Sequence, residues 1–113
     1  MCLVENPDLV GDFTKPSKII SIALIECHYF NHGSWLTGDK ALLNKKNIDR
    51  IRHIPTKIVH GRYDVICSYR QAYDLYQAFP EAKMITCPSA GHSAHDPQIE
   101  RALVQCMDEF KRL

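Results

Sequence analysis

The sequence predicts an α/β fold, built as a β-α-β-α segment with parallel strands over residues 56–113. Two short runs that contain β-branched residues, TKIVHG and AKMITC, end at Gly61 and before Pro88, as strands do. A stretch with apolar residues at helical spacing follows each run. The first stretch is long enough to connect two parallel strands, which need a crossover of about a dozen residues or more.

The N-terminal half of the chain is less regular. Its first 15 residues are poorly patterned and predict a loop or a frayed start. The segment PSKIISIALIECHYF, residues 16–30, predicts a helix with proline in its first turn. Two glycines in NHGSWLTG end this helix, and a second short helix is predicted from Asp39 to Arg52, before Pro55.

Two helices are predicted in the second half, YRQAYDLYQAF at residues 69–79 and PQIERALVQCMDEFKRL at residues 97–113. Their apolar residues recur on one helical face: Ala72, Leu75, Tyr76 and Phe79 in the first, and Ile99, Ala102, Leu103, Cys106 and Phe110 in the second. Two parallel strands do not make a stable sheet by themselves, because parallel sheets contain more strands and are covered on both faces. The segment is therefore expected to be the end of a larger fold, with an unpaired edge where a third strand belongs.

Composition and charge exclude several function classes. The net charge of +1, from 14 Lys and Arg against 13 Asp and Glu, gives no global attraction to nucleic acid or to anionic membranes. No apolar run reaches the 18 or so residues of a membrane span, and the N-terminus lacks the pattern of a secretory signal. The five cysteines lie far apart with no Cys-x-x-Cys pair, which favours reduced thiols in a cytoplasmic compartment over disulfides or a zinc site.

One histidine pair has the spacing of metal ligands. His28 and His32 are four residues apart, so they could face together on the predicted helix. The sequence NHG is expected to end the helix there, and no third ligand is evident. Ordinary polar roles are therefore favoured, and neither a metal nor an organic cofactor is expected.

Residues with catalytic chemistry follow both predicted strands. Asp64 comes shortly after the first strand, and His92 comes shortly after the second. The carboxyl ends of parallel strands meet at one edge of a sheet, so these side chains are expected side by side. An aspartate beside a histidine fixes the ring tautomer and stabilises the imidazolium that forms when the ring accepts a proton. Either residue alone is more commonly a turn or loop residue, but this chain order of acid and base is that of α/β-hydrolase triads.

Longer stretches around these residues resemble the prolyl aminopeptidase family, also called proline iminopeptidases. HIPTKIVHGRYDVIC, AFPEAK and AGHSAHDP are similar to the C-terminal part of that family, and IECHYFNHG is similar to its Ile-Glu-Asn-His-Tyr-Phe segment in a helical cap. The similarity covers residues 18–112. It implies an α/β-hydrolase fold, with a tail and partial helical cap at residues 1–54 and part of the hydrolase core at residues 55–113. It also implies a serine peptidase that releases an N-terminal proline from peptides.

The resemblance implies roles for five residues. Asp64 is the triad acid, and His92 is the general base. Glu26 matches the glutamate that binds the protonated α-amine of the substrate, and a carboxylate is a strong partner for an ammonium group. Phe30 and Cys67 match positions that line a small apolar pocket for the proline ring.

The chain departs from the family pattern in three ways. Cys27 stands where the family has asparagine, and the stretch around NKKNID is a couple of residues longer. None of the six serines lies in the Gly-x-Ser-x-Gly setting of a nucleophile elbow, and the nearest, Ser34 in HGSWL, follows the cap helix. The chain is therefore expected to be a fragment without the nucleophile, inactive alone, that associates with a missing N-terminal half.

Two other interpretations stay open. The chain could be a catalytically inactive interaction module or half-enzyme that docks through its bare sheet edge. It could also be a fragment of another α/β-hydrolase, such as an esterase. Glu26 distinguishes the last case, because only an aminopeptidase needs a group that recognises a free amine.

Overall fold

A computed structural model describes residues 2–3, 7, 11, 15–38 and 41–112. The chain divides into two compact units, one of residues 5–42 and one of residues 1–4 together with 43–113. The predicted N-terminal loop lies mostly outside the described residues, as do residues 39, 40 and 113 of two predicted helices. The assignment of residues 1–54 to a tail and cap, and of 55–113 to a hydrolase core, stays a prediction.

The unit of residues 5–42 contains helix α1, Pro16–Asn31, which confirms the helix predicted over residues 16–30. Proline occupies its first turn, where its missing N–H leaves no helical hydrogen bond unmade. The helix has no buried residue although many of its side chains are apolar. Even so, no helix in the described part of the chain combines the length and the apolarity that a membrane span requires.

The helix predicted over residues 39–52 is confirmed only in part. A short 3-10 turn, Ala41–Leu43, is followed by a separate helix α2, Lys45–Asp49. Asn44 divides them, because its backbone is extended and its side chain accepts a hydrogen bond from the Asn47 N–H at 2.9 Å. Asparagine competes with helical hydrogen bonding in this way, which makes it a strong helix start and a poor helix interior.

The second unit contains the predicted β-α-β-α order: β1, Lys57–Gly61; α3, Tyr69–Ala78; β2, Lys83–Cys87; and α4, Pro97–Phe110. The two strands pair in parallel, from Lys57 opposite Lys83 to Gly61 opposite Cys87. Each element lies within three residues of its predicted bounds. The α/β fold class and the parallel pairing are therefore confirmed.

Two apolar clusters pack on the sheet. In the first, Ile48, Phe79 and Ala82 are buried, with Ile58, Leu75 and Ala78 packed against them. In the second, Cys87, Ala90 and Ile99 are buried, with Val59 and Ala102 packed against them. Neighbouring side chains of a strand point to opposite faces, so Ile58 and Val59 of β1 join different clusters. The sheet is consequently covered on both faces, as a parallel sheet requires.

The apolar stripe of α4 is narrower than the sequence predicts. Ile99 and Cys106 are buried, but Leu103 is 40% exposed. The helix packs against both strands. Periodicity groups Leu103 with the apolar face of the helix, but the structure leaves its side chain exposed.

Candidate active site

The loops that follow β1 and β2 are fastened to each other. The Arg62 N–H donates to the Cys87 carbonyl at 2.9 Å, and the Tyr63 N–H donates to the Ala90 carbonyl at 3.0 Å. Both bonds continue the pairing of the strands past the formal end of the sheet. They bring the segment that carries Asp64 beside the segment that carries His92.

The two loops approach so closely that Gly61 has no room for a side chain. A Cβ atom on Gly61 would lie 2.0 Å from the Gly91 carbonyl oxygen and 2.6 Å from the Ala90 carbonyl oxygen. Backbone atoms cannot yield as a flexible side chain would. Gly61 is therefore required by close packing at the place where both polar loops leave the sheet.

The Asp64 carboxylate is the centre of the site. Its side chain is only 5% exposed. Oδ1 accepts hydrogen bonds from the N–H groups of Ile66 and Cys67, both at 2.9 Å. Oδ2 lies 3.0 Å from Nδ1 of His92, whose side chain is 39% exposed. The structure thus brings together the two residues that the order of the strands places at one edge.

Hydrogen bonding keeps the Asp64 carboxyl ionised despite its burial. Burial would raise its pKa, and this is the largest single influence. The hydrogen bonds from Cys67, from the His92 ring and from Ile66 act in the opposite direction, and together they lower the pKa from its ordinary value of 3.8. The charged carboxylate accepts a hydrogen bond from Nδ1–H, so the neutral His92 ring carries its hydrogen on Nδ1.

A second histidine faces the same carboxylate, and the sequence reasoning missed it. Nε2 of His60 lies 3.7 Å from Oδ2 of Asp64, so the two form an ion pair only when the ring is protonated. Nδ1 of His60 lies 2.9 Å from the Gly61 carbonyl oxygen, and its ring packs edge-on against Tyr69. Its position four residues before Asp64 in HGRYD was the available signal, but only the turn after β1 brings the pair together.

Asp96 was also missed. It is the buried charged residue of the described core, 2% exposed, and its Oδ2 accepts a hydrogen bond from the Gly91 N–H at 2.6 Å. In the sequence, aspartate before Pro97 reads as an ordinary helix start. The structure instead directs its carboxylate back into the loop that carries His92.

The three residues assigned to substrate binding lie in different units. Cys67 is exposed in the loop of Asp64, to which it donates its backbone N–H. Glu26 and Phe30 are exposed on α1 in the unit of residues 5–42. They are one helical turn apart and so share a face of that helix.

The histidine pair of α1 is engaged in ring packing. The His32 ring stacks on Trp35, with ring centres 5.2 Å apart, and its Nδ1 lies 2.7 Å from the His28 carbonyl oxygen. His28 packs against the same Trp35 at 5.4 Å. Across the part of the chain that the structure describes, no three His, Cys, Asp or Glu side chains are grouped as a metal site would need.

Comparisons with known proteins show the family to which the chain belongs. Residues 21–111 match the family model described as TAP-like protein, an α/β-hydrolase family. The chain is 44% identical over 109 residues to a probable proline iminopeptidase of Leptolyngbya boryana, which covers 96% of this chain and 33% of that protein. It is 51% identical over 91 residues to the proline iminopeptidase of Neisseria gonorrhoeae, covering 80% of this chain and 28% of that protein. With the proline iminopeptidase of Arabidopsis thaliana it shares 45% identity over 94 residues, covering 83% and 24%.

The matches cover most of this chain but only part of each relative. The chain spans about a third or less of the length of the curated relatives that it matches. The family model, in contrast, covers most of the 113 residues, including both strands and both polar loops. The chain therefore belongs to the TAP-like family of α/β-hydrolases, and it corresponds to a partial region of proteins named proline iminopeptidases.

Proposed function

We propose that the chain supplies the acid and the base of a prolyl aminopeptidase-type serine peptidase, which releases N-terminal proline from peptides. The observation that carries the proposal is the 3.0 Å contact between Asp64 and His92 at the carboxyl ends of two parallel strands. The names of the relatives support the substrate class. In this proposal residues 55–113 are part of the hydrolase core, and residues 1–54 are a tail and a partial cap.

In the proposed reaction, His92 is the general base. Nδ1 of His92 is hydrogen-bonded to Asp64, so Nε2 is the nitrogen that accepts the proton of a serine hydroxyl. The serine oxygen attacks the prolyl carbonyl carbon as this proton is transferred. The imidazolium, stabilised by Asp64, then gives this proton to the leaving amine. Water hydrolyses the acyl-enzyme with the same base, and proline is released. The scheme uses no metal or organic cofactor.

Substrate recognition is assigned to α1 and to the Asp64 loop. Glu26 is proposed to pair with the protonated α-amine, and Phe30, one turn further along the same helix face, is proposed to contact the proline ring. Cys67, in the loop of Asp64, is proposed to contact the substrate as well. An amine-binding carboxylate explains how a hydrolase site would act on free N-termini in preference to acylated ones.

The nucleophile is proposed to come from a segment outside these 113 residues. None of the six serines has the Gly-x-Ser-x-Gly setting, so the chain alone is expected to be inactive. Association with the segment that carries this serine belongs to the proposal. A cytoplasmic location is also proposed, since all five cysteines are free thiols, as a reducing compartment maintains them.

The first test uses the chain as it is. The purified 113-residue protein is incubated with a proline arylamide and with a serine-reactive fluorophosphonate probe. Neither hydrolysis nor labelling is expected. Covalent labelling of any of the six serines would contradict the proposal that the nucleophile lies elsewhere.

The second test supplies the nucleophile. Residues 21–111 replace the matching region of the Neisseria gonorrhoeae relative, and the chimera is assayed on the proline arylamide. We expect hydrolysis, a fall of about 10⁴-fold in kcat when Asp64 is replaced by Asn, and a loss at least as large for His92→Ala. His95→Ala, three positions further along, is the matched control and should leave the rate unchanged.

Substrate class is tested in the same chimera with Glu26→Gln. This change should abolish the preference for a free prolyl amine over its N-acetyl derivative, because the ammonium loses its charged partner. An active chimera whose preference does not depend on Glu26, and which cleaves simple esters equally well, would support an esterase instead.

A further inference from the structure

Asp96 lies at the start of α4. An aspartate at a helix N-cap ordinarily accepts a hydrogen bond from an N–H in the first turn of its own helix. Asp96 has the backbone conformation of an N-cap, but its side chain makes no such bond. The carboxylate is 2% exposed and is turned toward the preceding loop. Helix capping therefore does not account for its burial.

The hydrogen bonds of Asp96 hold the loop on both sides of His92. Oδ2 accepts the Gly91 N–H at 2.6 Å, immediately before the histidine. The backbone N–H of Asp96 donates to the Ser93 carbonyl at 3.0 Å, immediately after it. The carboxylate also accepts the Leu3 N–H, at 3.0 Å to Oδ1 and 3.1 Å to Oδ2. Asp96 therefore fixes the backbone on both sides of His92. Its side chain holds Gly91, and its backbone N–H holds Ser93.

The far side of this loop is fixed to the other strand. Gly91 is the residue whose carbonyl would lie 2.0 Å from a Cβ on Gly61, so the loop has no free space on that side. Asp96 holds the same residue through the Gly91 N–H. Movement of Gly91 away from Asp96 or toward Gly61 would displace the His92 ring relative to Asp64. Such a displacement would weaken the 3.0 Å hydrogen bond between the two side chains, because hydrogen bonds are sensitive to distance and angle.

We propose that Asp96 is a positioning residue, which holds the Gly91–Ser93 backbone so that Nδ1 of His92 stays in contact with Asp64. The proposal rests on the proposed role of His92 as general base, which gives this alignment its purpose. A charged acceptor is suited to the task, since its hydrogen bonds to backbone N–H groups are stronger than those of a neutral one.

The test separates positioning from helix capping. In Asp96→Ser, serine remains a favourable N-cap but is too short to reach the Gly91 N–H. In Asp96→Asn, the amide oxygen keeps that reach. The measurement is the fraction of His92 in the Nδ1–H tautomer, from the ring ¹⁵N chemical shifts of the ¹⁵N-histidine-labelled 113-residue chain.

Asp96→Ser should lose at least half as much of the Nδ1–H tautomer as Asp64→Asn loses, and Asp96→Asn should restore most of it. Gln98→Ala is the matched control, because Gln98 also ties the loop to the first turn of α4, through the Ser89 N–H at 2.9 Å. This control should leave the tautomer unchanged. A folded Asp96→Ser protein with the wild-type tautomer would overturn the proposal, even if its stability were reduced.

A second measurement decides the matter if Asp96→Ser does not fold. In the unmodified chain, the Gly91 amide should exchange with solvent as slowly as the amides of β1 and β2 that pair the strands. Exchange at the rate of an unstructured peptide would overturn the proposal. These outcomes are independent of catalysis: an inactive chimera would refute the proposed function, whereas an unaltered tautomer would refute only the role of Asp96.

Discussion

Asp64 and His92 are 28 positions apart in the chain, and Oδ2 of the first lies 3.0 Å from Nδ1 of the second. Each residue belongs to a loop that leaves the carboxyl end of a parallel strand, and the strands end opposite each other at Gly61 and Cys87. The contact is thus a property of the sheet, because any change that separates the two loops also separates the acid from the base.

The first prediction concerns the dependence of stability on pH. Folding lowers the pKa of Asp64 below 3.8, so its carboxylate stabilises the folded state fully above that value. This contribution is lost as the pH falls through the lower pKa of the folded state. The difference in unfolding free energy between the wild type and Asp64→Asn should therefore shrink below about pH 4, as measured by urea titration.

The control for this prediction is Asp108→Asn, which removes a carboxylate whose side chain is 54% exposed. Its effect should be small at every pH, because exposed ion pairs contribute little. A difference between wild type and Asp64→Asn that stayed constant from about pH 6 to the acid limit of folding would contradict the prediction.

The second prediction concerns the close approach of the two loops. Gly61→Ala places a Cβ atom against two backbone carbonyl oxygens, at 2.0 Å and 2.6 Å. The loops must separate, which should lower the unfolding free energy by about 2 kcal/mol or more. It should also reduce the Nδ1–H tautomer of His92. Gly11→Ala, where a Cβ would meet nothing within 4 Å, should change neither quantity; equal effects of the two substitutions would show that the contact is unimportant.

The third prediction concerns the first apolar cluster, that of Ile48, Phe79 and Ala82. Phe79 is 1% exposed and packs with Ile48 and Ala82. Phe79→Ala should cost about 3–5 kcal/mol of unfolding free energy, enough to abolish cooperative unfolding in a small domain. Phe30→Ala removes a ring that is 74% exposed and should shift the stability by less than about 0.5 kcal/mol. Thermal denaturation followed by circular dichroism compares the two variants.

The fourth prediction concerns the start of α2. Asn44→Ala removes the acceptor of the Asn47 N–H and should lower the unfolding free energy by about 1 kcal/mol. Because α2 carries the buried Ile48, the loss should be accompanied by faster amide exchange in α2. Asn44→Asp keeps a side-chain acceptor and should retain most of the stability. An equal loss in the Ala and Asp variants would mean that the cap does not determine where α2 begins.

Local patterns in the sequence were sufficient for much of the fold. Strands and helices depend mainly on neighbouring residues, so local sequence specifies them. The strands follow from the runs that end at Gly61 and before Pro88, and the helices follow from the apolar spacing of residues 69–79 and 97–110. The parallel pairing follows from the length of the crossover, and the approach of Asp64 to His92 follows from the pairing. Each step uses only chain order and the geometry of regular structure.

Other features depended on contacts that no local pattern records. The exposure of Leu103 and the approach of His60 to Asp64 become visible only in the folded chain. The clearest case is Asp96, whose sequence context indicates a helix cap and whose carboxylate nonetheless lies within the His92 loop. Sequence by itself determined which residues stand at the ends of the strands. Only the tertiary structure decided which groups hold them there. A hydrogen bond to a loop backbone requires that donor and acceptor be placed to within a few tenths of an ångström, and the segments that carry these groups come together only on folding.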